Sequence, residues 1–424
     1  MDRTADVVVI GGGIAGTATA YYLAKRGMSV IVCEKGEVAG EQSSRNWGFV
    51  RQQRRDPAEI PLMMASNKIW QDLSRELNTD IEWIQGGNLN LFDDEKAQAN
   101  CEAWLEHARA HGLESQLVSK RELDALIPGN NIDRKGGLFT PSDGQAEPTK
   151  VTEAFQRAAA GRGATFLTHC AVLEIETTGG AVSGVITERG GFATKTVVLA
   201  AGAWTGRMMR TLGLKFPQLW VKGSVARTTA APIISHAGTW SGVAFRQRRD
   251  GTMNVSQPSA DHDITMDTIL NAPRFVGSFR TARRDVRLHL NRMFLDTIMG
   301  PFSKAAFRRE LQRYRILDPA PNLQVLAQSM AKLKDILPMT KDIEIERSWA
   351  GYIDLTPDML PTLDSIDRPA GLVIASGFSG HGFGMGPIVG SLMSELIADG
   401  QTSLDLSAFR FSRFSDGSKP MPYV

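Results

Sequence analysis

Residues 43–56 read SSRNWGFVRQQRRD, a string that suits neither a surface loop nor an apolar core. Trp47 and Phe49 flank Gly48, and Arg51, Arg54 and Arg55 follow within five positions. Solvent gives the two rings nothing to pack on, and a core does not tolerate three guanidiniums. Aromatic faces suit a flat ligand, and guanidinium forks hold carboxylates or phosphates through paired bonds. The segment therefore calls for something flat and anionic.

A second group explains how such a ligand would be held. Gly11, Gly13 and Gly16 fill a G-x-G-x-x-G pattern between a β-branched run, Val7–Ile10, and a helical stretch that ends at Gly27. A further strand over 29–33 leads to Glu34 and Lys35. Gly11 permits the tight turn, Gly13 lets a pyrophosphate approach the backbone, and Gly16 allows close helix–strand packing. The helix N-terminus offers free N–H groups to the phosphates, and Glu34 is placed to accept from ribose hydroxyls. The unit predicts a dinucleotide site, with NAD and FAD both open.

The same logic recurs at the far end. Residues 372–375 predict a buried strand, followed by Gly377, Gly380, Gly382, Gly384 and Gly386 with Phe378, His381 and Phe383 between them. Pro387 suits the first helical position, and the apolar face beyond it ends at Gly400. Another buried strand, 196–200, runs into Ala201-Gly202-Ala203-Trp204 after two alternating strands around Gly179-Gly180. That hairpin is expected to feed back into the dinucleotide sheet.

With 424 residues, two domains are expected. A net charge of +2 argues against a polyanion binder as a whole. Cys33, Cys101 and Cys170 show no paired or metal-like spacing, and the seven histidines are scattered, so neither disulfides nor a metal site are expected. No apolar run approaches about 20 residues and no signal peptide is visible. These features predict a cytoplasmic protein.

Taken together, the glycine motif, AAGAW (200–204), WAGYIDLTPDMLP (349–361) and GFSGHGF (377–383) resemble the D-amino-acid-oxidase type of flavoprotein, the group of glycine oxidase, sarcosine oxidase, D-amino-acid dehydrogenases and iminodiacetate- or opine-oxidase-like enzymes. The resemblance is good over 1–218 and 343–400 and thin between them. It implies FAD and an α/β (α+β) fold, in which a Rossmann-type FAD-binding domain (1–82, 144–218, 343–424) interleaves with a mixed-sheet substrate domain (83–143, 219–342), p-hydroxybenzoate-hydroxylase-like. The implied cofactor residues begin with Gly11, Gly13, Ile14, Ala15, Gly16, Glu34 and Lys35. Ser43, Ser44, Arg45, Asn46, Trp47, Gly48 and Phe49 would run past the pyrophosphate and under the isoalloxazine. Val172 would meet the adenine through its backbone. Ala200, Gly202, Trp204, Gly377, Gly380, His381, Gly382 and Phe383 complete the set. Sarcosine-oxidase-like sequences carry a lysine after GFSGHGF and, in some, a cysteine for covalent flavin attachment. Here Gly384 and Ala350 stand near those places, which implies non-covalent FAD and a different carboxylate anchor.

The implied chemistry is oxidation of a C–N bond of an amino or imino acid, with hydride passing to the flavin and oxygen or a respiratory carrier as final acceptor. Arg51, Arg246 and Arg347 are the candidate carboxylate anchors, while Arg54 and Arg55 are expected to meet solvent. Tyr352 and His381 are candidate orienting groups, and no general base is named. An idle or electron-relaying flavoprotein subunit of a membrane-associated dehydrogenase complex is the alternative. Residues 271–340 hold 13 Lys/Arg against 5 Asp/Glu and read as two amphipathic helices split at Gly300-Pro301. The plain reading is a solvated basic face. Peripheral docking on an anionic membrane or on a protein partner are the sharper ones, and nucleic acid is the weakest, no binding motif accompanying the charge.

Overall fold

The computed structural model describes residues 3–92, 94–234, 237–240, 242–257, 259–282, 286–299, 302–418 and 421–423. A six-stranded sheet forms the frame of the nucleotide-binding half. β1 (Val7–Ile10) is followed by helix α1 (Ile14–Lys25) and β2 (Val30–Cys33), which pairs parallel to β1. β3 (Thr196–Leu199) flanks β1 on its other side. The four residues of β1 are all buried, as a strand covered on both faces requires. α1 ends through Gly27, whose positive φ of 80° closes the helix without a Cβ penalty.

The second half is a large mixed sheet. Its longest pairing joins β4 (Leu219–Thr228) to β5 (Ile345–Leu355), antiparallel from Leu219↔Leu355 to Thr228↔Ile345. The sequence reading puts 343–424 on the cofactor side. β5 nevertheless belongs to the large sheet, and the chain returns to the nucleotide frame with the edge strand Thr362–Ile366 and then β6 (Leu372–Ser376), antiparallel to that edge strand and parallel to β3. The hairpin Val172–Thr178 and Ala181–Thr187 joins a separate four-stranded sheet instead of the frame. Only β3, after it, enters the frame.

Helix α2 (Gly382–Asp399) differs from expectation, since it starts at Gly382 and carries Pro387 inside. Packing against α1 explains this. A Cβ on Gly386 would lie 2.6 Å from Ile14, and one on Gly390 2.6 Å from Ala18, so the glycines are what lets the two helices touch. Tertiary contact overrides the weak helix propensity of glycine there.

The basic segment is not two helices split at one point, although most of its described cations lie at the surface. Met266–Ala282, Arg292–Thr297 and Lys304–Arg313 are helical, and Val286–His289 is a strand parallel to Ala260–Asp263. Gly300 and Pro301 lie outside the described residues. Several cations are paired: Lys304 and Arg308 with Glu174, Arg287 with Asp261, Arg313 with Asp296. Arg315 holds Glu188 through two bonds of 2.5 Å. Among the described residues no helix is long and apolar enough to cross a membrane.

Candidate active site

Two chambers lie end to end between the frame and the large sheet, sharing Gly13, Gln42, Ser43, Ala200 and Gly202 as walls. The first is lined by Gly11, Glu34, Lys35, Val172 and Trp204 among others. The second, about 330 Å³, is lined by Ile14, Ala15, Arg45, Asn46, Trp47, Gly48, Phe49, Arg51, Tyr352, Gly380, His381, Gly382 and Phe383, and by residues not foreseen. Gly13 is the N-cap of α1 and has no side chain to cap it, so the first turn beyond the Ile14 N–H is left for a ligand. Ser43 Oγ accepts from the Ile14 N–H at 2.8 Å, and a Cβ on Gly13 would come within 3.0 Å of it. Glu34 already accepts from the N–H groups of Gly12 and Gly36 at 2.7 Å each, and its carboxylate keeps lone pairs for a ribose hydroxyl.

A strap crosses the first chamber from far along the chain. Lys35 Nζ donates to the carbonyls of Tyr314 and Arg315 at 2.9 and 2.8 Å, and also meets Glu41. The Leu317 N–H donates to Glu41, and Leu311 and Ile316 line the wall. Lys35 is thus committed to protein partners.

In the second chamber Gly48 has φ 89°, and a Cβ there would strike the Ala146 carbonyl and Arg246 at 2.6 Å. Of the three arginines lining the chamber, Arg51 and Arg55 differ from Arg45. Arg51 has a buried Nε without a hydrogen-bond partner, and Arg55, 5% exposed, has its Nη1 in the same state. Neither forms an ion pair among the described residues. Burial pushes the Arg51 guanidinium down to about 9, with Arg55 adding to the effect, and Arg55 is lowered by burial too. Arg51 stays charged at neutral pH. Arg55 corrects the expectation that it meets solvent: Arg54 takes φ 55° and the chain turns back, its Arg55 N–H reaching the Gln52 carbonyl. Buried Asp143 pins that turn, accepting from the Gln52 and Gln53 N–H groups at 2.7 and 3.3 Å.

His381 is the N-cap residue of α2, and its Nδ1 lies 3.0 Å from Glu59, which is fully buried and behind the imidazole as seen from the chamber. Burial lowers its basicity, Arg55 and Arg51 add to that, and Glu59 opposes them.

Other sequence candidates are bound to protein partners or lie outside the two chambers. Arg246 is 2% exposed and bound to Glu147 at 2.5 Å and to the Trp47 carbonyl, so its charge is spent beneath the loop of Trp47–Phe49. Arg347 is exposed on β5. The Tyr352 hydroxyl donates to Asp263 at 2.6 Å and is not free to orient a ligand. Arg45 pairs with Asp318. Gly16 lies outside the lining and serves packing, since a Cβ would meet the Gly11 carbonyl at 2.0 Å. Gly377 is backed by Thr356 and Phe216, and the Ser44 hydroxyl turns to the Glu41 carbonyl. Sequence reasoning missed Arg55 and Glu59. No local signal marked them, since residues 51–56 are coil and turn and the chain only turns helical at Pro57–Glu59.

The groove fits FAD: the N-terminus of α1 at the joint, an acid at one end, and a wide aromatic- and glycine-lined chamber at the other. Comparison with known proteins agrees. A family model described as FAD dependent oxidoreductase matches residues 6–396. Mouse mitochondrial sarcosine dehydrogenase is 25% identical over 98% of this chain, which spans only 42% of that protein's length. Glycine oxidase of Bacillus subtilis (strain 168) is 28% identical over 97% of this chain and 98% of its own. The solved L-amino acid deaminase of Proteus myxofaciens superposes with a TM-score of 0.93 at 29% identity, covering 98% of this chain and 94% of that one. A match running nearly the whole chain, on a groove shaped for the cofactor, makes this protein a member of the DAO family of FAD-dependent oxidoreductases.

Proposed function

We propose that the protein oxidises the C–N bond of an amino acid or N-substituted amino acid, using FAD held without a covalent bond. One observation carries this reading: two buried guanidiniums lacking any carboxylate partner face the chamber beside the flavin-end loop. A buried cation left unpaired is costly unless a ligand completes it, and an α-carboxylate matches both forks. The chamber's aromatic lining and its relatives' printed activities on glycine, sarcosine and L-amino acids support the same reading.

In this reading Gly11, Gly13, Ser43 and the start of α1 hold the diphosphate, Glu34 and Val172 the adenosine end, and residues 45–49 with 380–383 the flavin. The FAD domain is 1–82, 144–218 and most of 343–424. When bound, FAD supplies the hydride acceptor for the C–N bond. The chain's own part is placement: Arg51 and Arg55 fix the carboxylate, which fixes the α-carbon's distance and angle to the ring. None of the three cysteines lines the second chamber, consistent with free FAD. The imine product then hydrolyses to oxo acid and amine.

Mixing the yellow protein anaerobically with a panel of amino and imino acids tests the proposal, with bleaching of the flavin band expected for some members. A panel without any bleaching, on protein that still binds simple carboxylates, would favour the electron-relaying subunit instead.

A further inference from the structure

The amine of an amino acid is protonated near neutral pH, yet a C–N bond is oxidised only once the nitrogen lone pair is free. The chamber contains one group arranged to take that proton. His381 is 21% exposed at its side chain while Glu59 is completely buried. The imidazole lines the chamber and Glu59 does not, so the ring stands between the carboxyl and the ligand space. Nδ1 is engaged by Glu59 at 3.0 Å. Nε2 has no protein partner among the described residues and is not among the buried unpartnered atoms, so it opens to the chamber. A carboxyl on Nδ1 fixes the tautomer with the proton there and leaves the Nε2 lone pair outward.

We propose that His381, oriented by Glu59, accepts the proton of the substrate's ammonium group, and that binding of the substrate's carboxylate by Arg51 and Arg55 is what makes it a competent acceptor. The inference rests on the amino-acid reading above. The balance is simple: an N–H bond of the ammonium breaks, a bond to Nε2 forms, and a neutral amine with a lone pair remains. The charged groups around the imidazole are Arg51 and Arg55 from the loop after Phe49–Val50 and Glu59 from the turn Pro57–Glu59, with Asp143 behind the arginines. Without ligand the two guanidiniums act against a second positive charge, and the imidazole stays neutral. A bound carboxylate cancels part of their field and leaves Glu59 to favour the imidazolium. Amines without a carboxylate would leave the acceptor weak, so the device selects amino acids twice, by anchoring and by proton transfer. His381 is the catalytic residue here and Glu59 a positioning one.

The test uses FAD-loaded protein and a carboxylate lacking an amine, propionate, with binding read as a change in flavin absorbance. Because carboxylate binding raises the imidazole's affinity for a proton, the two must bind cooperatively. Propionate affinity should rise as pH falls from 8 to 6, by up to about tenfold per unit within the window. The non-oxidisable amino acid 2-aminoisobutyrate brings its own proton, so its affinity should stay flat. His381→Asn should bind propionate with no pH dependence, and its bleaching by a reactive amino acid should be slow at pH 7 and recover towards the amine's own pKa. Glu59→Gln, which withdraws the opposing charge, should move the acid limb of bleaching to lower pH. Propionate that binds wild type equally at pH 6 and 8, or a pH dependence that survives in His381→Asn, overturns the proton-acceptor role alone. Propionate affinity unaffected by Arg51→Ala overturns the carboxylate anchor, and this proposal with it.

Discussion

Arg51 and Arg55 are the residues on which the substrate reading is most exposed to measurement. Arg51→Ala and Arg55→Ala should each lose roughly 2–4 kcal/mol in kcat/KM with flavin content nearly unchanged, because truncation leaves the other charge and the substrate carboxylate poorly paired. Lysine at either place should recover only part, since an ammonium keeps charge without the fork. Normal kcat/KM in both alanine variants would remove them as anchors. Arg246 belongs to a different category: Glu147→Ala strands a buried guanidinium, and a thermal or urea melt should show a loss of about 3–5 kcal/mol. An unchanged melt would mean that water pairs with the Arg246 guanidinium once Glu147 is gone. The glycines and the arginine cluster were legible in the sequence because each answers a local demand. Which arginine is free was not, since the fate of Arg246 is decided by Glu147, 99 residues away, and that of Arg55 by a turn pinned from Asp143, 90 or so residues distant.

The turn over 52–55 is the element that sets the arginines, and its anchor makes a pH prediction. Burial raises the Asp143 carboxyl from the ordinary 3.8 to about 6, against the pull of its hydrogen bonds from Gln52 and Gln53. The native protein therefore keeps this proton over a window in which the unfolded chain has released it. Its stabilising contribution is present below about 4 and lost as pH rises to about 6, a span of roughly 3 kcal/mol. Asp143→Asn should flatten that slope in urea melts at pH 4.5 and 7, while surrendering the bond from the Gln53 N–H. Equal slopes would show that Asp143 is ionised throughout. Elements were legible where periodicity spoke, as in β1, α1, β2, β3 and β6. They were not where a neighbour decides: α2 begins five residues early because its glycines lie on α1, and the strand Val286–His289 exists only by pairing with Ala260–Asp263.

Across the whole molecule, the two sheets and the groove between them followed from the motifs, but the path of residues 271–340 did not. Nine of the fourteen large apolar side chains left exposed among the described residues fall between Ile269 and Leu323, and Arg280 and Arg309 there are exposed. That pairing of apolar surface with cations suits an anionic bilayer, which we propose as the contact of this face. The protein should pellet with phosphatidylserine vesicles at low salt and far less with phosphatidylcholine; equal behaviour with both, or none with either, removes the proposal. The strap at 311–317 has a consequence for how the protein is made. Lys35 and Arg315 stand 280 residues apart in the chain, so when the ribosome has finished the glycine motif, the wall that closes the adenosine end has not yet been synthesised. At about 5–20 residues per second, the nucleotide-binding half waits some tens of seconds with its cradle open on one side. Nascent chains stalled before the strap is made should hold FAD loosely and the released full-length chain tightly, so that cofactor capture marks the completion of synthesis and not its beginning.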